Sequence, residues 1–156
     1  MKPPISNLTE PAAKILGRRG EELAARFLEQ KGYRLVAANF TVPVGRNRRG
    51  AQVFTEIDVI AYNGETLCFI EVKTRSSDEF ASPESAVNLR KQRQIIRAAR
   101  VYRQFFGVRE MPFRYDVVAI VMPQNRAPKI ELLAGFWTES KFHKARWSKR
   151  RSADWF

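Results

Sequence analysis

The stretch EIDVIAYNGETLCFIEVK, residues 56–73, constrains the fold more than any other part of the chain. Two apolar-rich runs flank Asn63-Gly64, the dipeptide that best suits a type I′ turn, where both central residues need positive φ. With those two residues at the turn, Tyr62 lies opposite Glu65, Asp58 opposite Phe69, and Glu56 opposite Glu71. Strand side chains alternate between faces. Glu56, Asp58, Glu71 and Lys73 therefore share one face. Ile57, Val59, Ala61, Cys68, Ile70 and Val72 share the other, which is apolar throughout. A four-residue loop keeps this parity, and an odd loop or a bulge breaks it. The hairpin is expected to form the functional edge of a sheet.

Carboxylates gathered on one face repel one another unless a cation sits among them. Oxygen-only ligands suit a hard ion, Mg²⁺ or Mn²⁺, with water completing the shell. Lys73 points the same way as Glu71 and could steer a phosphate or polarise a water. A metal-bound hydroxide and a charge clamp are what phosphodiester hydrolysis needs. The competing reading is a solvated strand face with Glu–Lys pairs, each of small worth.

The overall balance points to a polyanion. Lys plus Arg outnumber Asp plus Glu by 28 to 16, giving a net charge of +12 and a pI near 10.4. Nucleic acid is favoured over membrane, because no stretch approaches the roughly 18 uncharged apolar residues that span a bilayer. The N-terminal MKPPISNLTEPAAK has no apolar signal core. Cys68 is the only cysteine, which fits a reducing cytoplasm. His143 is the only histidine. Zinc sites of Cys/His type and a Ser-His-Asp triad are thereby excluded.

Residues 1–10 read as a mobile arm, 11–138 as one α/β domain, and 139–156 as a basic, aromatic tail. Residues 11–31 are helical in pattern and Gly32 stops them. Leu16, Leu23, Ala24, Phe27 and Leu28 form the apolar stripe, with Glu21 on its border and Glu22 facing solvent. Glu21 can point inward, toward the sheet, and on pattern alone could equally be an interface carboxylate paired with an arginine. Gly17 and Gly20 allow close helix packing. Residues 33–40 read as the first strand. Residues 43–52, PVGRNRRGAQ, read as a loop whose Arg46, Arg48 and Arg49 could clamp phosphates, or which is simply an inserted surface loop. Arg75, just beyond the hairpin, joins the candidate contacts. Ser82 and Pro83 suit a helix start, with the helix running over 83–106. Its buried face would be Ile95, Ala98, Ala99, Tyr102, Phe105 and Phe106. Arg90, Arg93, Arg97 and Arg100 form a second stripe, either phosphate contacts or a solvated face. Lys91 lies on the inward line, one turn before Ile95. Strands are expected over 113–121 and 130–137, with Asp116 paired to Arg114 or a neighbouring arginine in a structural role. Trp147 and Trp155 in the tail could stack on bases or staple the tail to the domain.

The Asp, then E-x-K after a short hairpin, resembles the PD-(D/E)xK signature of restriction-endonuclease-like nucleases. GRRGEELAARFLEQKGY (17–33), EIDVIAYNGETLCFIEVKTR (56–75), the Lys91 helix ending in RAARVY, and FRYDVVAIV (113–121) together resemble the YraN family of that superfamily. The layout is also similar to archaeal Holliday-junction resolvases. The resemblance implies a restriction-endonuclease-like core in the order αβββαββ, with a mixed central sheet flanked by helices. It implies an Mg²⁺- or Mn²⁺-dependent nuclease acting on nucleic acid, DNA favoured over RNA. Asp58 and Glu71 would hold the ion with the carbonyl of Val72, and Glu56 would be a second ligand or an outer contact. Lys73 would position water and phosphate, and Glu21 would act through water. Resolvase-like nucleases often pair, so the resemblance allows a homodimer. The chain departs from the family in its extra residues at 43–52 and in Thr55, where a glycine is expected. The alternative is a non-catalytic nucleic-acid-binding module on the same fold.

Overall fold

A computed structural model describes residues 10–77 and 87–142. Ser82, Pro83, His143, Trp147, Trp155 and nearly all of the N-terminal arm lie outside these residues. The elements are α1 (Ala12–Gln30), β1 (Arg34–Arg46), β2 (Gln52–Asn63), β3 (Thr66–Arg75), α2 (Leu89–Phe105), β4 (Phe113–Val121) and β5 (Lys129–Trp137). The expected order αβββαββ is the observed one. The five strands form one sheet in the order β1-β2-β3-β4-β5. The β3–β4 pair is parallel, bridged by α2, and the other pairs are antiparallel. The hairpin of residues 56–73 is thus interior to the sheet rather than at its edge; β1 and β5 are the edges.

The sheet is covered on both faces. α1 lays Ala24 and Leu28 against Val59, Ala61, Cys68, Ile70, Val72, Val118 and Ile120. α2 lays Ile95, Ala98, Ala99 and Tyr102 against Ile57, Ile60, Leu67, Phe69 and Val117. Burying each of these larger side chains stabilises the fold by about 1.5–3 kcal/mol relative to leaving it exposed. Tyr115 stacks on Trp137 at 5.1 Å between ring centroids, closing the α2-side core near β5.

Gly20 permits the closest approach of α1. A Cβ there would lie 1.8 Å from Thr74 Oγ1 on β3, so only glycine lets the helix sit where it does. α1 ends as expected. Lys31 is its last cap, Gly32 takes φ +87°, Gly32 N–H donates to Glu29 O, and Tyr33 N–H reaches back to Leu28 O. That is the Schellman pattern.

The hairpin register differs from expectation by two residues. Asn63 pairs with Thr66 and Tyr62 with Leu67, so Gly64-Glu65 form the turn. Gly64 alone takes positive φ (60°), while Asn63 does not. Glycine at the first central position is the type II′ arrangement. Because the slip is even, Val59, Ala61, Cys68, Ile70 and Val72 still share one face, that of α1. The expected single charged face divides: Glu56 and Asp58 gather with Glu21 of α1, and Glu71 pairs with Lys91 of α2.

Ile57 breaks the expected alternation. It packs on the α2 side with Ile60, three residues on, and Phe40 and Ala37 do the same on β1. Between them lie Asp58 and Asn39, the latter with φ +50°. The two strands step across the sheet together at this point.

Residues 43–46 continue β1 rather than forming a loop, and they pair with residues 52–54 of β2. The insert therefore lengthens a hairpin arm whose tip is residues 47–51. Asn47 Oδ1 accepts from the N–H groups of Arg49 (2.9 Å) and Ala51 (3.0 Å), and Arg46 Nη1 donates to Gly50 O (2.7 Å). α2 begins after Asn88, whose side chain accepts from Lys91 N–H, so the expected helix does not run through residues 87 and 88. Phe105 and Phe106 are 80% and 53% exposed; they close and cap the helix, beyond its last turn over β1 and β2. At the other end, Glu139 and Phe142 still engage the domain, which extends past the expected boundary at 138.

Candidate functional site

The β2–β3 ladder stops short of the strands' ends. It runs from Asn63↔Thr66 to Val59↔Ile70. Beyond that point β2 stays paired with β1, and β3 with β4. Asp58 and Glu71 are the first residues past the fork. The Asp58 side chain bridges it, with Oδ2 accepting from Val72 N–H at 2.8 Å. The two-residue slip therefore matters: the ladder's continuation faces Asp58 with Glu71, where the expected register had Asp58 opposite Phe69 and Glu56 opposite Glu71.

Both carboxylates are buried, Asp58 9% and Glu71 6% exposed. Burial pushes the Asp58 carboxyl above its ordinary range, opposed by the Val72 N–H and the Lys91 ammonium and reinforced by the Glu21 and Glu56 charges. Burial likewise raises Glu71, followed by the charge of Asp58, with Lys91 and Lys73 pulling the other way. Glu71 Oε2 is buried without a hydrogen-bond partner. A buried, unsatisfied carboxylate oxygen is costly unless a proton or a cation reaches it.

Each helix delivers one group to the fork. From α1, Glu21 points inward and Glu22 outward. Asn39 Nδ2 donates to Glu21 Oε2 (3.2 Å) and to Glu56 Oε1 (3.1 Å). Carboxylate oxygens of Glu21, Glu56 and Asp58 lie within 4.8 Å of one another, close enough to hold a metal ion together. The expected ligand set named Glu71 in the place this grouping gives to Glu21. From α2, Lys91 Nζ lies 3.3 Å from Glu56 O and 3.8 Å from Glu71 Oε2. Lys73 is exposed on β3. Thr55, in place of the expected glycine, is buried opposite Val42 without disturbing the strand pairing, although its hydroxyl finds no partner. Cys68 is buried, and burial pushes its thiol up to about 12, which leaves it a core side chain.

Asn39 and Thr41 were not foreseen as site residues. Thr41 Oγ1 donates to Glu56 Oε2 at 3.4 Å. The signal for Asn39 was present in VAANF: Ala37 and Phe40 are spaced by three, which strict alternation does not allow. Asn is also the residue that best tolerates left-handed backbone after glycine.

The arginines divide into three sets. Arg46 and Arg48 at the hairpin tip, with Arg90, Arg93 and Arg97 on α2, line one groove of about 420 Å³. Arg49 is exposed at the tip, and Arg75 ends β3, where its carbonyl accepts from Met122 N–H (2.7 Å). Arg100 does not share the groove. Its Nη2 donates to Glu139 Oε2 (2.9 Å), and Arg103 and the Tyr115 hydroxyl hold the other oxygen (3.2 and 2.8 Å). The stripe thus has an acidic partner from outside the helix, and Arg100 serves the fold.

A mixed sheet in the order αβββαββ, forked at its central hairpin and flanked by two helices, defines a restriction-endonuclease-like α/β protein. The model of the family described as Uncharacterised protein family UPF0102 matches residues 20–120, from Gly20 through all of the fork. A UPF0102 protein of Chlorobium limicola is 44% identical over 131 residues, 80% of this chain and 94% of that protein. One of Geobacter sulfurreducens is 43% identical over 118 residues, covering 76% and 84%. One of Alkaliphilus metalliredigens is 37% identical over 114 residues, covering 73% and 91%. The chain belongs to the UPF0102, or YraN, family. Among the described residues no helix is long and apolar enough to cross a membrane.

Proposed function

We propose that the protein is a metal-dependent nuclease hydrolysing phosphodiester bonds in nucleic acid, with DNA as the favoured substrate. The observation that carries this reading is the fork itself. Two buried carboxylates with raised proton affinity, one with an oxygen that has no hydrogen bond, stand beside a converging Glu21–Glu56–Asp58 set. Such a donor set of oxygens fits a hard divalent ion, Mg²⁺ or Mn²⁺. Asp58 and Glu71 would hold it, with the Val72 carbonyl and Glu56 as further ligands and Glu21 acting directly or through water. When bound, the ion supplies Lewis-acid polarisation and an acidified water.

The chain's own groups do the rest. Asn39 fixes the Glu21 and Glu56 carboxylates relative to each other. Lys73, exposed beside Glu71, is free to meet a phosphate oxygen and offset charge as it develops. Lys91 neutralises Glu71 from the opposite helix.

One observation favours a second reading. Lys91 already places a cation against Glu71, so the fork could be a charge-balanced relic in a nucleic-acid-binding accessory module. A cleavage screen over fork, junction, flap and single-stranded substrates with Mg²⁺ and Mn²⁺ separates the two. Cleavage lost in Asp58→Ala, Glu71→Ala and Lys73→Ala supports the nuclease. Tight binding with no cleavage of any substrate, and no Mn²⁺ site that disappears in Asp58→Ala, leaves the binding module.

A further inference from the structure

We infer that the groove between the β1–β2 hairpin tip and α2 binds the sugar–phosphate backbone of a nucleic-acid strand, gripping two to three consecutive phosphates and leading the strand to the fork. The inference rests on the nucleic-acid partner proposed above, and on neither a metal nor catalysis.

Among the described residues, five arginines line this groove and no carboxylate does. The side chains of Arg48, Arg90 and Arg97 form no hydrogen bond or ion pair among the described residues. Like charges gathered without counter-charges raise a local field that only an anion relieves. The contrast lies on the same helix, where Arg100 and Arg103 share Glu139. Where α2 uses arginine for the fold, the charge is matched; at the groove, among the described residues, it has no acidic partner.

The spacing fits a strand. Arg90, Arg93 and Arg97 fall on one helical row about 10 Å long. Consecutive phosphates of one strand lie about twice the 3.4 Å axial rise apart, so the row meets two to three. Guanidinium forks bind phosphate oxygens in pairs, and contacts of this kind fix position without reading sequence. The opposite wall is held in place by the Asn47 side chain and the Arg46–Gly50 bond, so Arg48 projects from a structured turn. The groove also points at the fork. Val53 in its floor is three residues, about 10 Å of strand, from Glu56, and Arg90 immediately precedes Lys91.

The test is fluorescence anisotropy with the full chain in EDTA, using a labelled single strand and a duplex of the same sequence over a range of salt. Replacing Arg48, Arg90 and Arg97 together by serine should weaken binding at least about tenfold at low salt and flatten the log K against log salt slope. The expected flattening is about 2 if single strands occupy the groove and about 2.7 if duplex does, and the arm that shows it identifies the source. All three side chains are exposed, so thermal melting should match that of the wild type. The Arg48→Lys, Arg90→Lys, Arg97→Lys variant should keep the slope. Replacing Arg19 and Arg26 on α1 and Lys31 at its C-cap by serine removes the same charge elsewhere. If that change flattens the slope equally, or if the groove variant leaves it unchanged, the inference is overturned. Asp58→Ala should bind normally in EDTA, so loss of cleavage and loss of groove binding remain separate outcomes.

Discussion

Two sets of buried carboxylates sit in this sheet, and they are treated oppositely. Asp116 on β4 is fully buried, and both its oxygens are satisfied: Arg114 Nε donates to Oδ1 (2.9 Å) and Oδ2 (3.1 Å), and Gly135 N–H adds a bond to Oδ1 (2.8 Å). Arg114 is itself anchored by donating to the Tyr33 hydroxyl at 2.6 Å. Asp58 and Glu71 on β2 and β3 are nearly as buried, yet they crowd each other and leave Glu71 Oε2 without a hydrogen bond. A buried charge that serves the fold is paired in full, because desolvating it otherwise costs several kcal/mol. A buried charge left short of partners is expected where a ligand completes it.

The sharpest way to break this comparison is to neutralise one carboxylate of each kind. Asp116→Ala strands the Arg114 guanidinium and the Gly135 N–H, and should cost about 3–5 kcal/mol in chemical denaturation. Glu71→Gln removes a charge that burial already disfavours, and should leave the apo protein as stable as the wild type or more so. Equal destabilisation by the two would erase the distinction between a structural and a poised carboxylate.

A second lever acts on the helix that brings Glu21 to the fork. Gly20→Ala drives a methyl into Thr74 and should destabilise by up to about 3 kcal/mol, with Thr74→Gly in the same chain restoring part of the loss. Gly17→Ala meets nothing within 4 Å and should instead be neutral or mildly stabilising, since alanine favours a helix. Equal effects at the two glycines would mean that α1 does not sit against β3 as described.

The third lever is pH. Asp58 and Glu71 are both raised above 3.8 and 4.5, their ordinary values. The native chain therefore holds protons that the unfolded chain releases. The stabilisation is complete below the ordinary carboxylate range and fades as pH rises through the raised values. Apo stability should fall by on the order of 2 kcal/mol from pH 4 toward neutrality, and Mn²⁺ should restore it most at the higher pH. In Asp58→Asn, Glu71→Gln both the fall and the rescue should disappear; a wild-type pH profile in that variant would assign the effect to other groups.

How much of this was legible beforehand follows the same division. Element order and the β4 strand came directly from periodicity, as did Glu21 over Glu22, because local patterns govern them; an arginine partner for Asp116 was readable too, and the structure selects Arg114. The apolar set Val59, Ala61, Cys68, Ile70 and Val72 was also readable, since an even register slip preserves parity. The fork was not. Where β2 parts from β3 depends on contacts far apart in sequence, with β2 held to β1 and β3 held to β4 beyond the ladder, and on Asn39 taking a left-handed conformation. The hairpin turn moved by one position because glycine alone, rather than Asn-Gly, supplies the positive φ. Arg100 was misassigned for a related reason: its partner, Glu139, is 39 residues away.

Asn39 gives the smallest and most discriminating change. Its amide joins Glu21 to Glu56, and its backbone has φ +50°. Asn39→Gly keeps that backbone available while deleting the bridge. Asn39→Ala deletes the bridge and adds backbone strain of about 1 kcal/mol. If the amide serves the fork, both variants should weaken Mn²⁺ binding alike, read by isothermal titration, while only the alanine variant loses about 1 kcal/mol of stability. If Asn39 merely turns the strand, glycine should bind the ion as the wild type does, and the bridge would join the Asp116 pairing as part of the scaffold.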